Sequence, residues 1–206
     1  MNRRILGAIL SGGRSSRMRS PKALLPFGSA RLIDHVAARL APQVGGLLVN
    51  ANDPTICLAG VPTVADRFSD FPGPLAGIHA ALSEAAAIVP QPSHVATVPV
   101  DTPFFPEDVV AQLSAAAPDD DTAVLAASPD GLHPVVGLWP LSVLPELDAW
   151  LKNPPTLKVR AFLDRIPHCV VAFEPLASPF GDIDPFFNVN TPGELEKARS
   201  LLRLAG

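Results

Sequence analysis

Cysteines are few in this sequence: Cys57 and Cys169 are the only two among 206 residues. They lie far apart and form no C-x-x-C pair, so they show neither the spacing of a metal site nor a disulfide framework. We expect both thiols to be ordinary core residues of a protein from a reducing compartment. The cysteine pattern therefore excludes a cysteine-ligated metal centre and a small disulfide-stabilised secreted fold.

Long apolar runs and a net positive charge are absent as well. The apolar run Ile5–Leu10 is too short for the core of a signal peptide, and no stretch approaches the ~20 apolar residues of a membrane span. The formal net charge is −4, whereas general nucleic-acid binding needs a broad basic face. We therefore predict a soluble, cytoplasmic protein that binds neither membranes nor nucleic acids.

Strand-like and helix-like segments alternate along the chain, and we predict that residues 1–206 form a single domain. The apolar fraction is 48%, and a chain of this length can bury a full core. The strand-like segments are continuous apolar runs, which is the pattern of a parallel sheet covered on both faces. We therefore predict an α/β fold, with a single doubly wound, mostly parallel sheet and helices on both faces.

The predicted strands cover residues 5–10, 46–50, 61–65, 95–100, 123–127, 135–139 and 169–173. The predicted helices cover residues 32–40, 75–87, 106–116, 142–151 and 192–204. At the start of the last helix, Thr191 suits the cap, Pro192 suits the first helical position and Glu194 completes a capping box. In sheets of this class, ligands bind beyond the carboxyl ends of the strands, so residues just after the strands are candidate site residues.

A basic, glycine-bearing loop follows the first strand. Gly12 and Gly13 allow the backbone to approach a ligand closely, and their amides can point at anionic oxygens. The spacing matches neither the P-loop nor the dinucleotide fingerprint. The loop favours a polyphosphate site, with a solvated basic turn as the alternative. Its four cations are Arg14, Arg17, Arg19 and Lys22.

The predicted strand at residues 95–100 is followed by Asp101. Magnesium prefers carboxylate and phosphate oxygens and takes only one or two protein carboxylates, so an aspartate beside bound phosphates is a natural Mg²⁺ ligand. The alternative is a cap of the turn that Thr102 and Pro103 form. In combination with the basic loop, the position of Asp101 favours a role as a Mg²⁺ ligand.

Asn50 ends the second predicted strand, and Asp66 follows the third. Asn50 suits a hydrogen bond to a base or ribose, or equally an Asx turn. The two oxygens of an aspartate can accept the N1–H and N2–H donors of guanine together, and cytosine and uracil lack such a donor pair. The alternative for an aspartate here, a carboxylate at a helix N-terminus, suits Asp70 better than Asp66.

Asn188 and Asn190 precede the last predicted helix. They alternate across Val189, so in an extended segment both face the same side. We expect them either to complete a metal or phosphate environment opposite Asp101 or to act as structural turn residues.

The loop after the first strand resembles the signature of nucleotidyltransferases that open with L-[AS]-[AG]-G-x-x-x-R-M and a later lysine. With the other segments included, the chain resembles the molybdenum cofactor guanylyltransferases over nearly its full length. Its Gly12-Gly13 pair is more similar to guanylyl-transferring members than to cytidylyl-transferring ones, in which the first glycine is commonly alanine. The matching segments are residues 10–22, 50–52, 66, 70–77, 101–103, 133–134 and 188–192.

The resemblance implies a Rossmann-like nucleotidyltransferase fold and transfer of GMP from GTP to the phosphate of molybdopterin. This reaction releases pyrophosphate and forms the guanine dinucleotide form of the molybdenum cofactor. The resemblance also implies catalytic roles for Lys22, Arg17 and Asp101, Mg²⁺ bound at Asp101, and a place for His133 at the pocket rim without a catalytic proton role. The nucleotide-binding residues that it implies are Leu10, Ser11, Gly12, Gly13, Lys22, Asn50, Asp66 and Asp101, with Asn188 and Asn190 as further candidates.

Three alternatives remain open: a cytidylyltransferase for the same pterin, a sugar-phosphate nucleotidyltransferase, and a nucleotide-binding regulatory protein without chemistry. The presence of both Lys22 and Asp101 argues against the last, because binding alone does not need a metal carboxylate. The expected partners are GTP and molybdopterin or Mo-molybdopterin, with other molybdenum-cofactor proteins as further candidates. We expect a monomer or a weak oligomer.

Overall fold

The computed structural model describes residues 4–12, 21–68, 73–178 and 181–205. Seven strands form one sheet, and a short hairpin lies apart from it. The strands are β1 (Ile5–Leu10), β2 (Pro26–Phe27), β3 (Ala30–Arg31), β4 (Gly46–Asn50), β5 (Thr63–Val64), β6 (His94–Pro99), β7 (Ala123–Ser128), β8 (Gly131–Pro140) and β9 (His168–Ala172). The α-helices are α1 (Leu32–Leu40), α2 (Pro74–Ala87), α3 (Val109–Ala116), α4 (Leu144–Lys152), α5 (Val159–Leu163) and α6 (Pro192–Ala205).

The strand order in the sheet is β5-β4-β1-β6-β8-β7-β9. Four of the six strand pairs are parallel, and the exception is β8, which runs antiparallel to both β6 and β7. β7 and β8 are joined by a tight turn, a connection that only antiparallel strands permit. Gly131 begins β8 with a φ of 119°, a conformation that side chains disfavour. The prediction of a mostly parallel sheet is confirmed, with β8 as the reversed strand.

Most predicted elements agree with the structure, and the differences lie at their ends. The predicted helix over 106–116 begins only at Val109, because residues 106–108 form a turn in which the amide of Val109 bonds to the carbonyl of Pro106. The predicted strand over 61–65 shrinks to β5, an edge strand with a single partner. The predicted helix over 142–151 begins at Leu144, after a 3₁₀ turn at Leu141–Val143.

Helices cover both faces of the sheet, as the continuous apolar strands predict. Within β1, the buried side chains of Leu6, Ala8 and Leu10 face a cluster formed with α2, α4 and α5. Ile9 faces the opposite cluster, which α1 and α3 complete. This alternation, with apolar partners on each side, fixes the register of the central strand and hence the position of the loop that follows it.

A third, smaller core cluster anchors α6 beside the β2–β3 hairpin. It contains Phe27, Leu32, Val189, Leu195 and Ala198. The predicted capping box of α6 is confirmed: the amide of Glu194 donates to the hydroxyl of Thr191 at 3.2 Å, and the amide of Thr191 donates to the Glu194 carboxylate at 2.8 Å. Packing and cap together hold the residues just before α6 against the end of the sheet.

The prediction that both cysteines are core residues is wrong for Cys57. This thiol is exposed, because it lies in the irregular segment between β4 and β5, whereas Cys169 is partly buried in β9. No helix among the described residues combines the length and the apolar character needed to cross a membrane.

Candidate active site

The carboxyl ends of β4, β1 and β6 lie side by side at one edge of the sheet. Leu10 is opposite Asn50 on one side and Pro99 on the other. The pairing continues past the end of β1. The amide of Ser11 donates to the carbonyl of Asn50 at 2.8 Å, and the amide of Val100 donates to the carbonyl of Leu10 at 3.0 Å. Neighbouring strands are about 4.8 Å apart, so the residues that follow β4 and β6 flank the loop that begins at Ser11.

Lys22 and Asp101 form an ion pair at this edge. Nζ of Lys22 lies 2.8 Å from Oδ2 of Asp101 and donates a second hydrogen bond to Oδ1 of Asn190 at 2.6 Å. The side chains of Lys22 and Asp101 are 17% and 21% exposed, so water screens the pair weakly. The structure therefore holds the ammonium of Lys22 at a fixed position beside Asp101, just after β6.

The segment 188–190 is fastened to the turn after β6. The amide of Val189 donates to the carbonyl of Asp101 at 2.8 Å, and the hydroxyl of Thr102 donates to Oδ1 of Asn188 at 2.8 Å. Val189 is fully buried, and the asparagines on either side of it contact Thr102 and Lys22. The structure thus brings Asn188 and Asn190 to the Asp101 turn from a distant part of the sequence.

Glu194 holds the backbone of this segment in place. Its Oε2 accepts the amides of Asn190 and Thr191, each at 2.8 Å, and the hydroxyl of Thr191 at 3.0 Å. These hydrogen bonds, with that from Asn190 the strongest, lower the pKa of Glu194 below its usual value, and the charge of Lys22 acts in the same direction. The capping residue of α6 therefore also positions Asn190 at the ion pair.

Asp66 lies on the β4 side of the end of β1 and is held by two asparagines. Nδ2 of Asn50 donates to its Oδ1 and Nδ2 of Asn52 donates to its Oδ2, both at 2.8 Å. Oδ1 of Asn52 accepts the backbone amide of Asp66 at 2.8 Å. Both carboxylate oxygens are thus oriented, and each still has a lone pair for a ligand donor. Asn50 is only 1% exposed, so its role in the site is to orient the carboxylate of Asp66.

Two glycines lie beside the cluster of Asn50 and Asp66, and one of them makes room for it. A Cβ at Gly12 would lie 3.5 Å from Oδ1 of Asn50 and 3.9 Å from Oδ2 of Asp66, so the first glycine of the loop runs alongside the cluster. A Cβ at Gly77 in α2 would lie 2.4 Å from Oδ1 of Asn50, closer than atoms can approach. The buried orientation of Asn50 therefore requires a glycine at position 77.

A cleft of 310 Å³ opens beside Asp101 on the β8 side. Its walls are mostly apolar, with polar side chains at intervals. The residues that line it are Pro99, Asp101, Thr102, Leu132, His133, Pro134, Val135, Val136, Phe186, Asn188 and Asn190.

The chain matches the family model described as a MobA-like NTP transferase domain over residues 7–169. The chain belongs to the MobA-like NTP transferase family. It is therefore a nucleotidyltransferase, as the glycine-bearing loop and the residues around it predict.

Curated relatives and solved structures agree with this membership. A molybdenum cofactor guanylyltransferase from Sinorhizobium fredii is 43% identical over 94% of this chain and 90% of its own length. The molybdopterin-guanine dinucleotide biosynthesis protein A from Archaeoglobus fulgidus is 21% identical, with a TM-score of 0.71 over 96% of this chain and 98% of that chain. A Mycobacterium tuberculosis protein in complex with manganese is 14% identical, with a TM-score of 0.68 over 97% and 100%. The two solved structures confirm the predicted α/β fold.

A divalent cation fits the donor set of this NTP transferase at Asp101. Oδ2 of Asp101 is bound by Lys22, whereas its Oδ1 has no hydrogen-bond partner among the described residues and the side chain lines the cleft. Across residues 4–12, 21–68, 73–178 and 181–205, no group of three or more acidic, histidine or cysteine side chains is placed to hold a metal. One carboxylate oxygen completed by substrate phosphates is a common way of holding Mg²⁺.

Several residues singled out in the sequence of this transferase lie outside the described residues. They are Gly13, Arg14, Arg17, Arg19 and Asp70. The remaining site residues form two groups. One group contains Lys22, Asp101, Asn188 and Asn190, and the second, at the ends of β1 and β4, contains Leu10, Ser11, Gly12, Asn50 and Asp66.

Three residues of the site were not among those selected from the sequence. Asn52 anchors Asp66, Thr102 anchors Asn188, and Gly77 makes room for Asn50. All three lie within segments that carry the family resemblance, residues 50–52, 70–77 and 101–103, but nothing in the sequence showed these contacts.

Proposed function

We propose that this NTP transferase transfers GMP from GTP to the phosphate of molybdopterin, releases pyrophosphate and forms the guanine dinucleotide form of the molybdenum cofactor. The observation that carries the proposal is the pair of fixed groups on either side of one loop: the Lys22–Asp101 ion pair and the oriented Asp66 carboxylate. The names of relatives that are 36–43% identical over most of the chain support the same reaction.

In this proposal the guanine base lies at Asp66 and the triphosphate lies along the loop toward Lys22. Asp66 has both oxygens fixed by neighbouring amides, so it is prepared to accept the N1–H and N2–H donors of guanine together. Cytosine and uracil lack that donor pair, which is why Asp66 supports guanine over a pyrimidine. The amides of Gly12 and Gly13 bind phosphate oxygens, whereas the amide of Ser11 is already bonded to the carbonyl of Asn50.

Stabilisation of negative charge is the main task of the site. The phosphate of molybdopterin is already an anionic nucleophile, so the reaction needs no general base. Lys22 stabilises the charge that grows on the departing pyrophosphate, and we assign the same role to Arg17. Asn190 and Asp101 keep the ammonium of Lys22 in place before substrate arrives.

Mg²⁺ is the cation that we propose for Asp101. When bound, it supplies positive charge that reduces the repulsion between the attacking phosphate and the α-phosphate. Asp101 would hold it through Oδ1, while Asn188 and Asn190 remain engaged with Thr102 and Lys22.

The test is turnover of the full chain with molybdopterin, Mg²⁺ and each nucleoside triphosphate in turn, followed by pyrophosphate release. We expect release with GTP, and only in the presence of molybdopterin. Faster release with CTP would indicate a cytidylyltransferase for the same pterin. Release with a sugar phosphate but not with molybdopterin would show that the acceptor is a sugar phosphate. GTP binding without any release would indicate a regulatory protein.

A further inference from the structure

Ser128, His133 and Asp184 form a hydrogen-bonded cluster beside the cleft. Oγ of Ser128 lies 2.7 Å from Nε2 of His133 and also donates a hydrogen bond to Oδ2 of Asp184. The side chains of His133 and Asp184 are only 17% and 10% exposed. His133 lines the cleft that also contains Asp101. The cluster therefore joins the wall of the cleft to the segment that leads into α6.

The hydrogen bonds of Ser128 fix the tautomer of His133. A carboxylate only accepts, so the single hydroxyl proton of Ser128 is donated to Asp184. The Ser128 oxygen then accepts from the backbone amide of Asp130 at 3.2 Å and from Nε2 of His133. Nε2 must therefore carry the ring proton, and in the neutral ring the lone pair is on Nδ1.

This arrangement is not a nucleophilic triad, although it contains serine, histidine and aspartate. In such a triad the histidine takes the serine proton and the aspartate holds the other ring nitrogen. Here the aspartate takes the serine proton, and the histidine donates to the serine oxygen. The cluster therefore orients the imidazole and does not activate the hydroxyl.

Nδ1 of His133 is the atom that the cluster leaves available. Among the described residues this atom has no hydrogen-bond partner, and it is not fully buried. Burial lowers the pKa of His133, although the carboxylates of Asp184 and Asp130 act in the opposite direction. The ring is therefore neutral near pH 7, and Nδ1 offers a hydrogen-bond acceptor to the cleft.

The apolar side chains of the cleft can pack against a ring. The apolar walls of the cleft are formed by Leu132, Val135, Val136 and Phe186. The ring centroids of Phe186 and His133 are 4.7 Å apart. The volume of 310 Å³ lies at the lower end of the range for small-molecule sites, about 300–1,000 Å³. A site with apolar walls and one oriented acceptor selects a heterocycle that carries an N–H donor.

We propose that this cleft binds the ring system of the acceptor substrate and that Nδ1 of His133 accepts a hydrogen bond from a ring N–H or amino group. The inference rests on the proposed function, in which the phosphate of that substrate reaches Lys22 and Asp101. A pterin carries both a ring N–H and an amino group on one edge. Ser128 and Asp184 act as positioning residues, because they hold the imidazole in the required tautomer.

Two variants test the proposal. In His133→Gln, the side-chain amide keeps a donor at the position of Nε2, so the bond to Ser128 is retained while the acceptor at Nδ1 is lost. In Asp184→Asn, the new amide donates to Ser128, and the serine hydroxyl then donates to Nε2 of His133. This change moves the ring proton to Nδ1 and converts the acceptor into a donor. His168→Gln, at an exposed residue of β9, is the matched control.

The first measurement is steady-state kinetics of the full chain with GTP and molybdopterin. We expect both variants to raise KM for molybdopterin about tenfold, the equivalent of one lost hydrogen bond, and to leave KM for GTP unchanged. His168→Gln should leave both constants unchanged. An unchanged KM for molybdopterin in His133→Gln, or a rise in KM for GTP instead, would overturn the inference.

The second measurement does not depend on turnover. Two-bond ¹H–¹⁵N NMR spectra of the histidine rings should show the Nε2–H tautomer of His133 in the wild type and the Nδ1–H tautomer in Asp184→Asn. Saturation-transfer NMR with 6-hydroxymethylpterin should show binding to the wild type that His133→Gln weakens. A wild-type Nδ1–H tautomer, or equal pterin binding by both proteins, would overturn the inference. Failure of the wild type to release pyrophosphate from GTP and molybdopterin would overturn the proposed function instead.

Discussion

Replacement of Gly77 by alanine should destabilise the protein, although the same change normally stabilises a helix. Alanine is favoured over glycine in a helix interior by about 1 kcal/mol. Here the new Cβ would lie 2.4 Å from Oδ1 and 3.2 Å from Cγ of Asn50, so the amide has to move. Its Nδ2 is bonded to Asp66 at 2.8 Å and to the carbonyl of Val64 at 3.3 Å, and both bonds would be lost.

The expected loss of stability is the balance between the gain in helix propensity and the loss of these hydrogen bonds. A buried donor left without a partner costs about 1–3 kcal/mol, which outweighs the gain in helix propensity. We expect the free energy of unfolding of Gly77→Ala, measured by urea denaturation, to fall by about 1–2 kcal/mol. Because Asp66 loses its anchor as well, the Kd for GTP should rise about tenfold.

A matched control and a double-mutant cycle isolate the cause. Gly193 is exposed near the start of α6, and a Cβ there would lie 4.0 Å from its nearest neighbour, the hydroxyl oxygen of Thr191, so Gly193→Ala should not destabilise the protein. In an Asn50→Ala background the clash is absent, and Gly77→Ala should then stabilise by about 0.5–1 kcal/mol. Additive effects of the two substitutions would contradict this prediction, because they would show that residues 50 and 77 do not interact.

Three further predictions concern the two sides of the loop. Lys22→Ala should lower kcat at least a hundredfold because charge on the departing pyrophosphate is no longer stabilised, whereas Lys152→Ala, at an exposed lysine of α4, should leave kcat unchanged in the pyrophosphate-release assay. Asp66→Asn should lower the preference for GTP over CTP, measured as the ratio of kcat/KM values, by about tenfold or more; an unchanged ratio would remove Asp66 from base recognition. The pKa of Glu194 is lowered in the folded protein, so its carboxylate stabilises the fold above the unfolded pKa, near 4.5, and that stability is lost as the pH falls through the folded value. The melting temperature of Glu194→Gln should therefore lie below that of the wild type at pH 7, the difference should shrink on acidification below pH 4.5, and a difference independent of pH would contradict this assignment.

The sequence predicted the framework of the fold well because its strands are strongly patterned. β1, β4 and α1 have the predicted bounds, since each is an apolar or amphipathic run that ends at a clear polar or glycine boundary. The antiparallel direction of β8 was not predicted, because an apolar strand reads the same in either direction. Its direction follows from the length and geometry of the turn at Asp130 and Gly131.

The candidate site was predictable as a set of residues but not as a set of contacts. Position at or just after the end of a strand selected Asn50, Asp66 and Asp101, because the carboxyl ends of parallel strands share one edge. Nothing in the sequence shows that Asn50 is buried and holds Asp66, or that Lys22 pairs with Asp101, since these contacts depend on side-chain orientation across distant segments. The role of Gly77 in making room for Asn50 is visible only in the structure, where a Cβ at position 77 would clash with Oδ1 of Asn50.

We propose that one nucleotide spans the distance between Asp66 and the Lys22–Asp101 pair. A crystal structure of the protein with Mg²⁺ and a GTP analogue that resists transfer tests it most directly. We expect the guanine edge to lie within hydrogen-bond distance of both Asp66 oxygens, and triphosphate oxygens to contact Lys22. A nucleotide whose base lies away from Asp66, or whose phosphates lie on another face of the sheet, would contradict it.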